Sequence, residues 1–185
     1  MRGGSISRGP SEISMFKTLT ITLAALLSGG SAALAHVTFE AEEAKAGANY
    51  KAVLRVPHGC EGKATTTIRV QVPEGAIAAK PMPKPGWKLE TVKGKYDKSY
   101  ELYGTPVTEG VKEIVWSGGE LADDFYDEFV FRVMLTEGLA AVQTVYFPVV
   151  QECGDVAERW IEIPAAGQDP EKLEYPAPGV RLITK

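Results

Sequence analysis

The chain has 185 residues, 20 basic and 24 acidic side chains and a formal net charge of −4, with two cysteines and two histidines. An acidic balance of this kind argues against a nucleic-acid ligand and against an anionic membrane surface, both of which select for positive charge. The length suits one domain with a proper core once the N-terminal segment is set aside.

That segment comes first. Phe16-Lys17 brings one positive charge, Leu19 to Leu27 forms an apolar run, and Ser28-Gly29-Gly30-Ser31 interrupts it. Ala33-Leu34-Ala35 then places small residues where a signal peptidase reads them. Residues 1–35 are thus expected to be a signal peptide, with Met15 an alternative start, and the mature chain to begin at His36. The competing reading is a transmembrane anchor, for which the run is short. Cleavage removes Arg2, Arg8, Lys17 and Glu12, which takes the net charge from −4 to −6. Export is expected to deliver the chain to the periplasm without a transmembrane anchor.

Period-two alternation, the strand signature, then recurs along the chain. It runs through Tyr50, Ala52, Leu54 and Val56, through Thr66, Ile68, Val70 and Val72, and through Phe129, Phe131, Val133 and Leu135. Gln143 to Val150 reads as one apolar strand and Arg159 to Ile163 as a short late one. Turns are expected at Pro57-His58-Gly59, Pro73-Glu74-Gly75, Lys93-Gly94-Lys95, Thr108-Glu109-Gly110 and Ser117-Gly118-Gly119. Short strands punctuated so regularly predict an all-β fold, a β-sandwich spanning 36–164. Residues 165–185 read as a Pro-rich tail, packed along the domain or loose.

Cys60 and Cys153 are expected to pair, since an even count in an oxidising compartment favours a disulfide. The alternative is a pair of thiolate ligands, but their distant placement matches no zinc or thioredoxin motif.

The chemistry centres on the two histidines. A terminal His36 offers its α-amino group and an imidazole nitrogen, which close a chelate ring on one ion. The amine titrates near neutrality, so a strongly binding metal can displace its proton. Nitrogen donors in a tetragonal plane suit Cu(II); the alternative is a chance residue at a cleavage site. His58 and Glu61 share the turn Pro57-His58-Gly59-Cys60-Glu61-Gly62 and could add a nitrogen and a carboxylate oxygen, or simply form a solvated turn. In Glu158-Arg159-Trp160-Ile161-Glu162-Ile163, alternation puts Trp160 on a polar face with Glu158 and Glu162, and Ile161 and Ile163 on the core face. An indole there covers an edge or walls a cation site. Trp87 and Trp116 read as packing residues.

Several segments together give the chain a family likeness: the terminal histidine after an Ala-X-Ala leader, Val56-Pro57-His58-Gly59-Cys60, Pro81-Met82-Pro83-Lys84-Pro85-Gly86-Trp87, Trp116-Ser117-Gly118-Gly119, Tyr126-Asp127-Glu128-Phe129 and Phe147-Pro148-Val149-Val150-Gln151. In this order and spacing, from about His36 to Pro164, the chain resembles the YcnI-like copper-binding family. The resemblance implies an immunoglobulin-like or fibronectin-like sandwich outside the cytoplasmic membrane. It further implies a single-histidine brace for Cu(II): His36, a glutamate that falls on Glu61, and a tryptophan that falls on Trp160. His58 would be a further nitrogen. The partners it implies are copper itself and another periplasmic copper chaperone or a membrane copper transporter.

Non-enzymatic copper trafficking is the leading expectation. A copper-dependent oxidative enzyme would need a second histidine opposite the first, for which His58 is the sole source, and an open metal position. A metal-free structural or adhesive sandwich is the third class, since this architecture hosts unrelated functions. Cu(I) is disfavoured because the mature chain carries only Met82 and Met134 as thioethers, and Cu(I) prefers soft donors.

Overall fold

The computed structural model describes residues 36–183; the expected leader, 1–35, lies outside the described residues. The strands are β1 (Thr38–Phe39), β2 (Glu43–Lys45), β3 (Ala48–Val56), β4 (Thr65–Gln71), β5 (Ala76–Pro81), β6 (Lys88–Leu102), β7 (Thr105–Leu121), β8 (Asp127–Leu135), β9 (Thr144–Tyr146), β10 (Val149–Cys153), β11 (Val156–Trp160) and β12 (Gly179–Ile183). Short 3-10 turns lie at Glu137–Ala141 and Pro170–Lys172. Among the described residues no helix is long and apolar enough to cross a membrane.

Two sheets make the sandwich, one ordered β1-β3-β8-β5 and the other β11-β10-β4-β7-β6. The alternating strands behave as their period dictates. Leu54, Val56, Phe129 and Phe131 of the first sheet and Ile68, Val70, Ile114 and Trp116 of the second turn inward and form one core. Packing of inner faces in this way is what stabilises a sandwich. A third sheet, β2-β12-β9, closes one flank, with β12 parallel to β2 and antiparallel to β9. The segment expected as a Pro-rich tail thus carries β12, whose Val180 is fully buried.

One strand expectation and three turn expectations need correction. Residues 143–150 do not form one strand. Pro148 has no N–H to give a ladder, and the chain changes partners there, β9 pairing with β12 and β10 with β4. The expected turns at Lys93-Gly94-Lys95, Thr108-Glu109-Gly110 and Ser117-Gly118-Gly119 lie inside the long strands β6 and β7, where Gly94 sits opposite Gly110 and the register shifts between Val92 and Lys93. Glycine within a strand marks an irregularity as readily as a turn. The hairpin reverses instead at Tyr103-Gly104, both with positive φ (51° and 80°), between the paired residues Leu102 and Thr105. Two consecutive left-handed residues match the twist of the flanking strands.

The late strand is β11, which ends at Trp160, so the face assignment made from alternation is inverted. Trp160 is 1% exposed, whereas Ile161 and Ile163 are 43% and 58% exposed. Register explains it: Trp160 pairs with the buried Val149 of β10, and directly opposed residues share a face. A one-residue change of parity exchanges every side chain between core and solvent.

Candidate metal centre

The turn between β3 and β4 is held from three sides. Cys60 forms a disulfide with Cys153 at the end of β10, with Cα atoms 5.8 Å apart. Cys60 and Lys63 exchange backbone hydrogen bonds of 3.0 and 2.9 Å around Glu61-Gly62, which have φ of 49° and 77°. Glu61 therefore stands exposed at the tip of a tight reversal. Gly59 is required by close approach: a Cβ there would lie 1.9 Å from the Lys63 carbonyl oxygen and 3.0 Å from Asp123 Oδ1.

Gln151 is the third fastening. It is fully buried on β10. Its Nε2 donates to the His58 carbonyl oxygen and to Thr65 Oγ1, both at 2.7 Å. Its Oε1 accepts from Trp160 Nε1 at 3.0 Å. One amide thus fixes the His58 turn and the Trp160 indole relative to each other, with the amide, the His58 carbonyl and the indole N–H all paired as burial demands.

Both histidines gather on that indole. The His36 ring lies 5.8 Å from the Trp160 ring, centroid to centroid, and the His58 ring 6.5 Å. Tyr175 packs against another side at 5.3 Å. His58 Nδ1 donates to the Gly59 carbonyl oxygen at 2.5 Å, which fixes the ring against its own turn. His36 is held by its neighbours, since Val37 and Phe39 are buried as β1 pairs with β3. His36 Nε2 is buried without a hydrogen-bond partner. A cavity of about 390 Å³, lined by His36, Thr38, Glu42, Tyr146 and Arg181 among others, opens beside that residue.

Glu158 belongs to this centre although sequence reasoning passed over it. It sits opposite Gln151 on β11 and shares the inward face with Trp160. Burial pushes its carboxyl above the usual carboxylate range; His58 opposes that shift, while Asp123 and Glu61 add to it. Its Oε2 is buried with no hydrogen-bond partner. The available signal was its spacing, two residues before Trp160, which strand geometry places on the same side.

The structure therefore brings His36, His58 and Trp160 together, with Glu61 within electrostatic reach of Glu158 at the edge. Among the described residues no three His, Cys, Asp or Glu side chains converge closely enough to hold a metal by themselves. A brace differs from such a cluster by using the α-amino group of residue 36, which exists only when the preceding peptide bond is cut.

Residues 36–182 match the family described as "Domain of unknown function (DUF1775)". No curated protein matches the sequence. A solved structure of an uncharacterized Nocardia farcinica protein, described as having an immunoglobulin-like fold, is similar to this chain. The two are 27% identical, with a TM-score of 0.58, over 80% of this chain and 99% of the other. The family match extends over nearly all the described residues and the fold agrees with the immunoglobulin-like neighbour, so the chain belongs to the DUF1775 family.

Proposed function

We propose that this protein is an exported Cu(II)-binding protein of the periplasm, serving copper acquisition or trafficking by binding rather than by catalysis. Removal of residues 1–35 frees the α-amino group of His36, and that amine with imidazole Nδ1 closes a six-membered chelate ring. Trp160 walls the site, His58 stands as a further nitrogen and Glu61 as a carboxylate on the rim. The observation that carries this reading is the placement of both histidine rings against one buried indole, at 5.8 and 6.5 Å. Two nitrogen ligands and an aromatic wall that favours a nearby cation suit a tetragonal ion.

The soft donors stand elsewhere, which supports Cu(II) over Cu(I). Both cysteines are in the disulfide. Met134 packs with Ile77, Tyr96 and Tyr100 in a second cluster, and Met82 is exposed beyond β5. A carrier also needs an acceptor, and another periplasmic copper chaperone or a membrane copper transporter fits that part. Calorimetric Cu(II) titration of the chain beginning at His36, beside its His36→Ala variant, tests the reading. The variant is expected to lose about a hundredfold in affinity or more, equivalent to about 2.8 kcal/mol. Equal affinity in both would overturn it.

A further inference from the structure

We propose that the outer face of the β1-β3-β8-β5 sheet is a docking surface for an acidic segment of a protein partner, received by Lys51, Arg132 and Lys80. The three cations form one row across neighbouring strands, with Lys51 opposite Arg132 and Arg132 opposite Lys80. All three are exposed, and among the described residues none has an acidic partner at ion-pairing distance. At the spacing of paired strands, about 4.8 Å, the row spans about 10 Å. Like charges directly opposed in a sheet repel one another, so the free protein carries a repulsion that an anionic partner removes.

A backbone irregularity builds the row. β5 pairs with β8 in one register through Ile77 and Met134 and in another through Lys80 and Arg132. Between them Ala78 has φ 54°, a left-handed conformation that a residue with a side chain rarely adopts. An extra residue of this kind re-aims the side chains that follow it. In an unbroken ladder Ala79 would stand opposite Arg132, and Lys80 would point into the core with Phe131.

The rows on either side are already satisfied. Towards one end of the sheet, Ile77 and Met134 pack under Tyr96 and Tyr100 of the β6–β7 hairpin, and Asn49 donates to the Tyr103 hydroxyl at 3.1 Å. Towards the other, Arg55 stands opposite Glu128 and pairs with Glu40 at 3.5 Å. The cation row between them is neither covered nor neutralised. A cavity of about 390 Å³ lies on it, bounded also by Met82, Pro83 and Val130, with Met82 54% exposed.

These features select the occupant. Three cations call for carboxylates or phosphates, and Met82 and Pro83 for an apolar side chain beside them. An anionic membrane needs a broad basic face, whereas this chain has a net charge of −4 and the adjoining row holds Glu40 and Glu128. A small-molecule site encloses most of its ligand. Here the cations are exposed, and a protein segment brings its own rim to exclude water. No metal enters this contact.

The test is an NMR titration of the chain beginning at His36, without copper, using a short peptide that alternates glutamate with leucine. Saturable shifts centred on Lys51, Arg132 and Lys80 are expected, weakening as salt is raised. The peptide with glutamine in place of glutamate should not bind. Lys51→Glu/Arg132→Glu should weaken the acidic peptide by about tenfold or more, because two exposed attractions become repulsions. Lys93→Glu/Lys95→Glu, the same charge change on β6, should alter it by less than about threefold. Circular dichroism melts identify any variant that has lost the fold. Should the charge reversal unfold, Lys51→Gln/Arg132→Gln takes its place, with a loss of about threefold or more expected. No saturable binding, equal losses in the two charge-reversed variants, or shifts centred on His36 and His58 would overturn the assignment. Inorganic pyrophosphate binding the row as tightly as the peptide would overturn it in favour of a small polyanion. Sedimentation with phosphatidylglycerol vesicles that Lys51→Glu/Arg132→Glu abolishes would overturn it in favour of a membrane.

Discussion

Gln151 accepts a hydrogen bond from Trp160 Nε1 at 3.0 Å and donates from its own amide to the His58 carbonyl oxygen at 2.7 Å. This single buried side chain relates the wall of the proposed site to the loop that carries His58. Replacing it by leucine keeps the volume but orphans the indole N–H, the His58 carbonyl and the Thr65 hydroxyl. Each buried unpaired group costs about 1–3 kcal/mol. Gln151→Leu is expected to lower unfolding stability by about 2–4 kcal/mol in urea denaturation. A loss below about 0.5 kcal/mol would mean that these bonds do not organise the centre.

The disulfide acts on the same turn. Cys60 and Cys153 are 93 residues apart, a long loop whose closure constrains the unfolded chain by about 4–5 kcal/mol in the chain-entropy account. A Cys60→Ala/Cys153→Ala double variant is expected to lose about 2–5 kcal/mol, measured by chemical denaturation of both forms. Its Cu(II) affinity should also fall, because His58 and Glu61 flank a turn anchored by Cys60. Full affinity in a folded double variant would separate the turn from the metal site.

Glu74 ties the β6–β7 hairpin to the body of the domain. Its carboxylate accepts from Lys112 Nζ at 2.7 Å and from the Asp97 backbone N–H at 3.1 Å. Burial alone would raise its carboxyl, but the hydrogen bonds from Lys112, Tyr100 and Asp97 outweigh burial and hold it below the usual range. The neighbouring Tyr100 hydroxyl is pushed up to about 12, first by burial and then by Glu74. A carboxyl lowered by folding contributes stability above its unfolded range and loses it as pH falls through its folded value. Glu74→Gln should therefore cost about 1–2 kcal/mol at neutral pH. The gap from native should shrink in melts run progressively below the ordinary carboxylate range. A gap that widens on acidification would show that the pairing is not what stabilises the folded carboxylate.

Strand existence was legible where alternation was unambiguous. Tyr50, Ala52, Leu54 and Val56, like Phe129 to Leu135, point into the core as their period requires. The cysteine pair was legible from its even count together with the expectation of export. Strand limits and parity were not. Trp160, Ile161 and Ile163 offer apolar residues to both faces, and only pairing with Val149 decides that the indole goes inward. Glycines at 94, 110 and 118 read as turns because a bulge and a turn ask for the same residue. The reversal at Tyr103-Gly104 went unseen because tyrosine is an uncommon first residue for a left-handed pair. Glu158 was placed on the right side of its strand relative to Trp160 but on the wrong face of the sheet, so its burial could not be read.

The central claim is that cleavage before His36 creates the copper site. An EPR spectrum of the processed chain with one equivalent of Cu(II), recorded beside a form with one extra residue before His36, tests it most directly. The chelate predicts a tetragonal signal with nitrogen coupling in the processed protein and its loss in the extended one, where the amine is an amide that cannot close the ring. The same spectrum from both forms, or that of hydrated copper from both, would contradict it.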